Sequence, residues 1–137
     1  MATALEPDYS YYETLTETEL RAEAAGWVDA CYGPGEPGYC NPDKASWRFV
    51  ADYDVAKLHP VAEGNLQEWF KDEQAMAAMG GRPGVYDSML TRPINEAIIV
   101  LERDGTGYIW DGWHRTGATV TKGGKTIPAI VGTPRSK

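Results

Sequence analysis

Apolar residues near the start of this chain recur with the period of a helix. Positions 20, 24, 27, 28 and 31 are all apolar and would fall on one stripe of a helix. The segment Thr16-Glu17-Thr18-Glu19 precedes this stripe and has the Ser/Thr-x-x-Glu form of a capping box. The pattern predicts a core-packing helix that begins after Thr16. Before it, we expect residues 1–13 to form an irregular arm whose tyrosines pack on a neighbouring element.

Further along, the apolar pattern becomes that of strands. Residues 47–53 predict a strand with Trp47, Phe49 and Ala51 on one face. Residues 97–102 (AIIVLE) predict a buried strand, because β-branched and other apolar side chains run without interruption up to Glu102. Asp104-Gly105 then favours a tight hairpin, after which residues 107–110 return antiparallel to that strand.

A second helix is predicted between these strands, over residues 66–79. Asn65 can serve as its N-cap, and Gly80-Gly81 would end it. The apolar side chains that this helix offers to the core are Leu66, Trp69, Phe70, Met76 and Met79. Together the elements predict an α+β domain in which helices pack on a small mixed sheet. We expect residues 1–45 to form a helical N-terminal extension with a Gly/Pro loop, and residues 46–137 to form the main domain.

Residues 108–131 predict a strand, a tight turn, a short helix and a returning strand. Asp111-Gly112 breaks the first apolar run, and a helix is expected from there to Lys122, before Gly123-Gly124. The turn would place His114 and Arg115 at the helix N-terminus, where free N–H groups and the helix dipole attract anions. A cation at this end opposes the dipole, so we expect the pair of His114 and the cationic Arg115 to need a bound anion.

Each residue of this turn also has a purely structural interpretation. Asp111 is a good helix N-cap, and Thr116 either donates to a phosphate oxygen or only completes the first helical turn. Trp110 and Trp113 either pack in the core or stack on a base. The hypothesis of an anion site therefore rests mainly on His114 and Arg115.

Net charge, the lengths of apolar runs and cysteine spacing limit the classes of function that we expect. The formal net charge of −7 argues against a surface that coats nucleic acid, although the chain from Arg115 onward has five Lys or Arg and no acid. No apolar run approaches the roughly eighteen residues of a membrane span, and no export signal is visible, so the cytoplasm is expected. Cys31 and Cys40 lack the CxxC spacing of zinc sites and are expected to be two thiols.

The motifs of residues 94–131 resemble the core of the ParB/sulfiredoxin-like superfamily. That core has an apolar strand, a hairpin, an Asp-Gly-x-His-Arg turn, a short helix, a glycine break and a final strand. The matching pieces here are Pro93-Ile94, AIIVLE, Asp104-Gly105, Asp111-Gly112-Trp113-His114-Arg115, Gly123 and the final IPAIV of residues 127–131. Leu58-His59-Pro60 is similar to the Leu-x-Pro corner that opens the family's domain.

The resemblance implies binding of a nucleoside di- or triphosphate, such as ATP, ADP or CTP, with Mg²⁺. Phosphoryl transfer or nucleotide hydrolysis would follow, with residues 111–116 as the phosphate turn and with His114 and Arg115 taking part in catalysis. By its position after the Leu58-His59-Pro60 corner, Glu63 would be the base, as in related free-serine kinases, with Asp52 and Asp54 behind it as further candidates. Position 113 is Trp rather than the Cys of sulfiredoxins, so sulfinic-acid repair is not expected.

Two alternatives stay open at this point. One is a non-enzymatic protein of the small acidic phage or plasmid type, which keeps the fold and docks a protein partner through its acidic N-terminal extension. The other is a DNA-binding or DNA-processing protein, by analogy with ParB. The turn here lacks the additional arginines of ParB proteins, and no helix-turn-helix pattern follows residue 131, so nucleotide binding is the leading hypothesis.

Overall fold

The structure, a computed structural model, describes residues 9–27, 32–59, 66–81 and 96–135. Within these segments the chain forms four α-helices, two 3-10 turns and four strands. The helices are α1 (Ser10–Glu13), α2 (Glu17–Ala25), α3 (Leu66–Met79) and α4 (Trp113–Thr121). The strands are β1 (Ala45–Asp54), β2 (Ile98–Arg103), β3 (Thr106–Asp111) and β4 (Thr126–Pro134). The 3-10 turns are Pro42–Lys44 and Val55–Lys57, on either side of β1.

The four strands form one mixed sheet in the order β1-β4-β2-β3. Strands β2 and β4 are parallel, and the other two neighbouring pairs are antiparallel. The β2–β3 hairpin turns at Asp104 and Gly105, whose φ angles of 55° and 82° are those of a tight left-handed turn. The predicted α+β class with a small mixed sheet is confirmed.

Strand β2 is the centre of the core because it is buried on both faces of the sheet. Ile99 and Leu101 point to one face, and Ile98 and Val100 point to the other. On the first face they join side chains of α2 and of the other three strands, which are Leu20, Ala24, Trp47, Trp110 and Ile130. On the second face they join Tyr53, Leu58, Ile109, Ala129 and Val131, with Trp113 at the edge of the cluster.

In the described part of the N-terminal segment, residues 10–13 are more regular and the helix after Thr16 is shorter than the sequence predicts. The capping box at Thr16 and Glu19 is confirmed, but α2 ends at Ala25, and Trp27 is 43% exposed. Val28 and Cys31 lie outside the described residues, while Cys40 is a buried free thiol. Of the expected irregular arm, residues 1–8 lie outside the described residues, and residues 10–13 form α1. Its Tyr12 stacks on Phe49 with the ring centroids 5.2 Å apart.

Two expectations about buried faces are wrong. In α3, Leu66 and Phe70 are buried as predicted, but Met76 and Met79 are 64% and 85% exposed. These two residues follow the apolar pattern, yet at this end of the helix it is Ala77 that turns toward the core. In β1, Ala51 is exposed because the pairing register shifts between Val50 and Tyr53. Such a bulge resets the in–out alternation, so Tyr53 takes the buried position. The predicted cap Asn65 lies outside the described residues.

None of the helices in the segments described above is long and apolar enough to cross a lipid bilayer.

Candidate functional site: the turn between β3 and α4

The turn that precedes α4 is built on Gly112. This residue has φ 106° and ψ 27°, a left-handed conformation that side chains with a Cβ rarely adopt. A Cβ atom placed there would also clash with Ile98, lying 2.7 Å from its Cβ and closer still to its Cγ2. Gly112 is the N-cap of α4, which corrects the expectation that Asp111 caps this helix. Without a side chain, Gly112 leaves the helix N-terminus without a side-chain cap.

Arg115 is held by acidic residues of the protein itself. One of its terminal nitrogens lies 3.2 Å from Asp111 Oδ2 and donates to the Ala97 carbonyl at 3.3 Å. The other lies 3.5 Å from Glu96 Oε1. Its Nε is buried and has no hydrogen-bond partner among the described residues. The guanidinium is therefore preoriented at the end of β3, but its donors are not fully used.

His114 is also paired with an acid. Its Nε2 lies 3.1 Å from Glu73 Oε1, on the neighbouring helix α3. The Trp69 ring, one helical turn before Glu73, has its centroid 5.0 Å from that of the His114 ring. Trp69 also meets Trp113 edge to face, with centroids 6.2 Å apart. These contacts fix the imidazole between α3 and α4, with one ring nitrogen beside a carboxylate.

These side chains surround a cavity of about 310 Å³ at the N-terminus of α4. Trp69, from α3, forms one wall. The remainder is lined by the residues of the turn, Asp111, Gly112, Trp113, His114 and Arg115. The cavity thus combines aromatic surface with a helix N-terminus and two groups that can carry positive charge. Five of the six predicted phosphate-binding residues meet there.

The sixth, Thr116, does not line this cavity. It is completely buried, and its hydroxyl donates to the Gly112 carbonyl at 2.8 Å. This corrects the expectation that Thr116 donates to a phosphate, because its hydroxyl is occupied within the first helical turn. Trp110 is likewise a core residue, since its Nε1 donates to the Gly38 carbonyl at 2.8 Å and its side chain is buried. The predicted base Glu63 lies outside the described residues.

Three residues of the site were not predicted from the sequence as functional. Trp69 was expected to be a core residue, and Glu73 and Glu96 were not considered. The spacing of Trp69 and Glu73 is a signal that was available, since residues four apart share one face of a helix. Nothing in the local sequence indicates that this face meets His114, which lies 41 positions later than Glu73.

The acidic partners of His114 and Arg115 change the charge that surrounds the turn. The sequence-based expectation was that His114 and Arg115 oppose the helix dipole and need a bound anion. In the structure, Glu73, Glu96 and Asp111 already supply negative charge to these two residues. The expectation that His114 and Arg115 lack acidic partners is therefore wrong. Any anion at this turn has to compete with carboxylates of the protein.

A second polar cluster lies elsewhere on the sheet, around Glu102. The buried Tyr53 donates its hydroxyl proton to Glu102 at 2.9 Å, and Lys57 and Arg48 lie 3.4 and 3.6 Å from the same carboxylate. Burial raises the pKa of Glu102, but the Tyr53 hydrogen bond and the two cations outweigh it, so the net shift is downward. Burial and the adjacent carboxylate raise the pKa of Tyr53. This cluster ties β1 to β2 across the sheet.

No protein-family model matches the chain, and no curated protein or solved structure shows significant similarity to it. The assignment of a function therefore depends on the geometry and chemistry of the turn.

Proposed function

We propose that this chain is a nucleotide-binding protein of ParB/sulfiredoxin-like fold that holds phosphates at the N-terminus of α4. The observation that carries the proposal is the cavity of about 310 Å³, in which Arg115 and His114 stand beside two tryptophans at a helix N-terminus. A helix N-terminus with an arginine suits phosphate oxygens. The faces of Trp69 and Trp113 offer apolar surface for a base or a sugar.

The order of the elements supports the fold part of the proposal. A hairpin (β2–β3) is followed by the Asp-Gly-x-His-Arg turn, a short helix, a glycine break with φ 79° at Gly123 and the final strand β4. This is the order that the resemblance implies. In addition, the strand that contains IPAIV lies beside the strand that contains IIVLE and runs parallel to it.

Phosphates can compete for Arg115 because its ion pair with Glu96 is long and exposed, whereas its pair with Asp111 is partly buried. The nearest oxygens of Asp111 and Glu96 lie 3.2 and 3.5 Å away, and the Glu96 side chain is 78% exposed. Ion pairs that water can reach contribute only about 0–1 kcal/mol. A phosphate can instead accept two parallel, charge-assisted bonds from the guanidinium. We infer that Asp111 and Glu96 hold Arg115 in place until a phosphate replaces one or both of them.

The reaction proposed for this site is phosphoryl transfer or nucleotide hydrolysis. Arg115 would stabilise charge that develops on the phosphoryl group. His114, oriented by Glu73, would move a proton, and Glu63 remains the base that the resemblance implies. In the described segments no group of three or more His, Cys, Asp or Glu side chains is arranged to hold a metal ion. Mg²⁺ would therefore take most of its ligands from the nucleotide phosphates and from water.

Calorimetric titration with ATP, ADP, CTP and GTP, each with Mg²⁺, tests the proposal. We expect the wild-type chain to bind at least one of them. Arg115→Ala should weaken that binding about ten- to a hundredfold, the range expected for losing hydrogen bonds to a charged group. The affinity of Arg115→Lys, which keeps the charge but loses the two parallel hydrogen bonds, should lie between those of the wild type and Arg115→Ala.

Lys122→Gln is the matched control, because it removes one positive charge at the opposite end of the same helix. Its affinity should equal that of the wild type. If none of the four nucleotides binds, the proposed function is wrong. If one binds equally well to wild type and Arg115→Ala, while circular dichroism shows both folded, the nucleotide site lies elsewhere on the molecule.

A further inference from the structure

A second cavity, of about 180 Å³, also reaches Arg115 but lies against the N-terminal helices. Tyr12, Glu23 and Trp27 form the wall that belongs to the N-terminal segment. The opposite wall comes from the residues before β2, the end of β3 and the start of α4, and it contains Glu96, Asp111 and Arg115. The first cavity contains no residue of the N-terminal segment, so the two differ in the elements that form them.

The walls of this second cavity are fixed by contacts of their own. The Tyr12 hydroxyl accepts a hydrogen bond of 3.0 Å from the Ala97 N–H, just before β2 begins. The Tyr12 ring stacks on Phe49 with an interplanar angle of 12°. Ile99 and Ile130, both buried, also line the cavity. The cavity is therefore a preformed space between α1–α2 and the sheet.

Negative charge predominates in this cavity. Its lining has three carboxylates, from Glu23, Glu96 and Asp111, and one cation, Arg115. Asp111 and Glu96 pair with Arg115, but no ion pair to Glu23 occurs in the described part of the chain. Glu23 accepts only a hydrogen bond of 3.3 Å from the neutral Tyr11 hydroxyl within that part. The charge of Glu23 is the main cause of the raised pKa of Tyr11.

An exposed aromatic side chain stands at the same place. Trp27 lines the cavity and is 43% exposed, although large aromatic side chains are usually much more buried. The face of a tryptophan ring attracts cations more strongly than that of any other side chain. Aromatic surface together with excess carboxylate is the combination that recognises organic ammonium and guanidinium groups.

We propose that this second cavity binds a small organic cation, whose ammonium or guanidinium group lies between Glu23 and Glu96 and against Trp27. A bare metal ion fits less well, because the described carboxylates do not form a group of three with the geometry of a metal site. A volume of about 180 Å³ limits the ligand to a small molecule of about the size of putrescine or agmatine. This site goes beyond the proposed nucleotide function and does not depend on it.

Calorimetric titration of the full chain with agmatine and with putrescine, without nucleotide and at low salt, tests the site. 1,4-Butanediol, which is neutral and has the carbon chain of putrescine, is the control ligand. We expect binding of at least one cation and none of the diol. Glu23→Gln should weaken the binding roughly two- to fivefold, because Glu23 is exposed and its charge is screened by water. Trp27→Ala should also weaken it roughly two- to fivefold.

Glu68→Gln is the control variant, because it removes an exposed carboxylate of α3 that does not line the cavity. Its affinity for the cation should be unchanged. Arg115 is left intact in every variant, so the nucleotide site is not altered. Failure of both cations to bind would overturn the proposal, and so would equal binding by the wild type, Glu23→Gln and Trp27→Ala.

Discussion

Gly112→Ala is the substitution that most directly tests the turn between β3 and α4. Alanine at φ 106° adopts a left-handed backbone, which costs about 1–2 kcal/mol. Its Cβ would also lie 2.7 Å from the Ile98 Cβ, so β2 or the turn has to shift, and overpacking of this kind costs about 1–3 kcal/mol. The two contributions predict a loss of about 2–5 kcal/mol in the free energy of unfolding.

The substitution should also disturb the site. The new Cβ would lie 3.2 Å from a terminal nitrogen of Arg115, the same nitrogen that pairs with Asp111. We therefore expect weaker nucleotide binding in any Gly112→Ala protein that remains folded. Urea unfolding followed by circular dichroism gives the free energy, and the melting temperature should fall by roughly 6–20 °C.

Gly123→Ala is the matched control at the other end of the same helix. Gly123 has φ 79°, but a Cβ there would meet no atom within 4 Å. Only the backbone contribution, about 1–2 kcal/mol, should be lost. If Gly112→Ala costs no more than Gly123→Ala, the close contact with Ile98 does not constrain the turn, and the reasoning is refuted.

Two further predictions concern stability. Tyr53→Phe removes the hydrogen bond to Glu102 and should cost about 1–2 kcal/mol near neutral pH. Since the pKa of Glu102 is lowered in the folded state, its contribution is present above its ordinary pKa and is lost as the pH falls through the folded pKa. The difference in the free energy of unfolding between wild type and Tyr53→Phe, measured by urea unfolding, should therefore become smaller in acid. An equal difference at about pH 3 and about pH 7 would contradict this account. Thr16→Ala removes the capping box of α2 and should lower the free energy of unfolding by about 1 kcal/mol. The control Thr18→Ala, at an exposed position of the same helix, should have a much smaller effect. Similar losses in the two variants would show that the cap does not stabilise α2.

Features that depend on neighbouring residues in the chain were predictable from the sequence. The capping box at Thr16 and Glu19, the Asp104-Gly105 hairpin and the start of α4 after Gly112 all depend on contacts within about four residues. The buried strand β2 was also predictable, because an unbroken β-branched run suits a strand that is covered on both faces. The same local pattern brought five of the predicted turn residues to one cavity.

The tertiary structure alone decided which groups surround His114 and Arg115. Their acidic partners Glu73 and Glu96 lie 41 and 19 positions away in the chain, and Tyr12 reaches Ala97 across 85 positions. Periodicity shows that a helix has an apolar face, but it does not show which element packs there. For that reason the sequence identified a turn suited to an anion but did not reveal the carboxylates of Glu73 and Glu96, which pair with His114 and Arg115. The charge that a ligand meets at this turn is a property of the folded chain, because it is the sum over residues that only folding brings together.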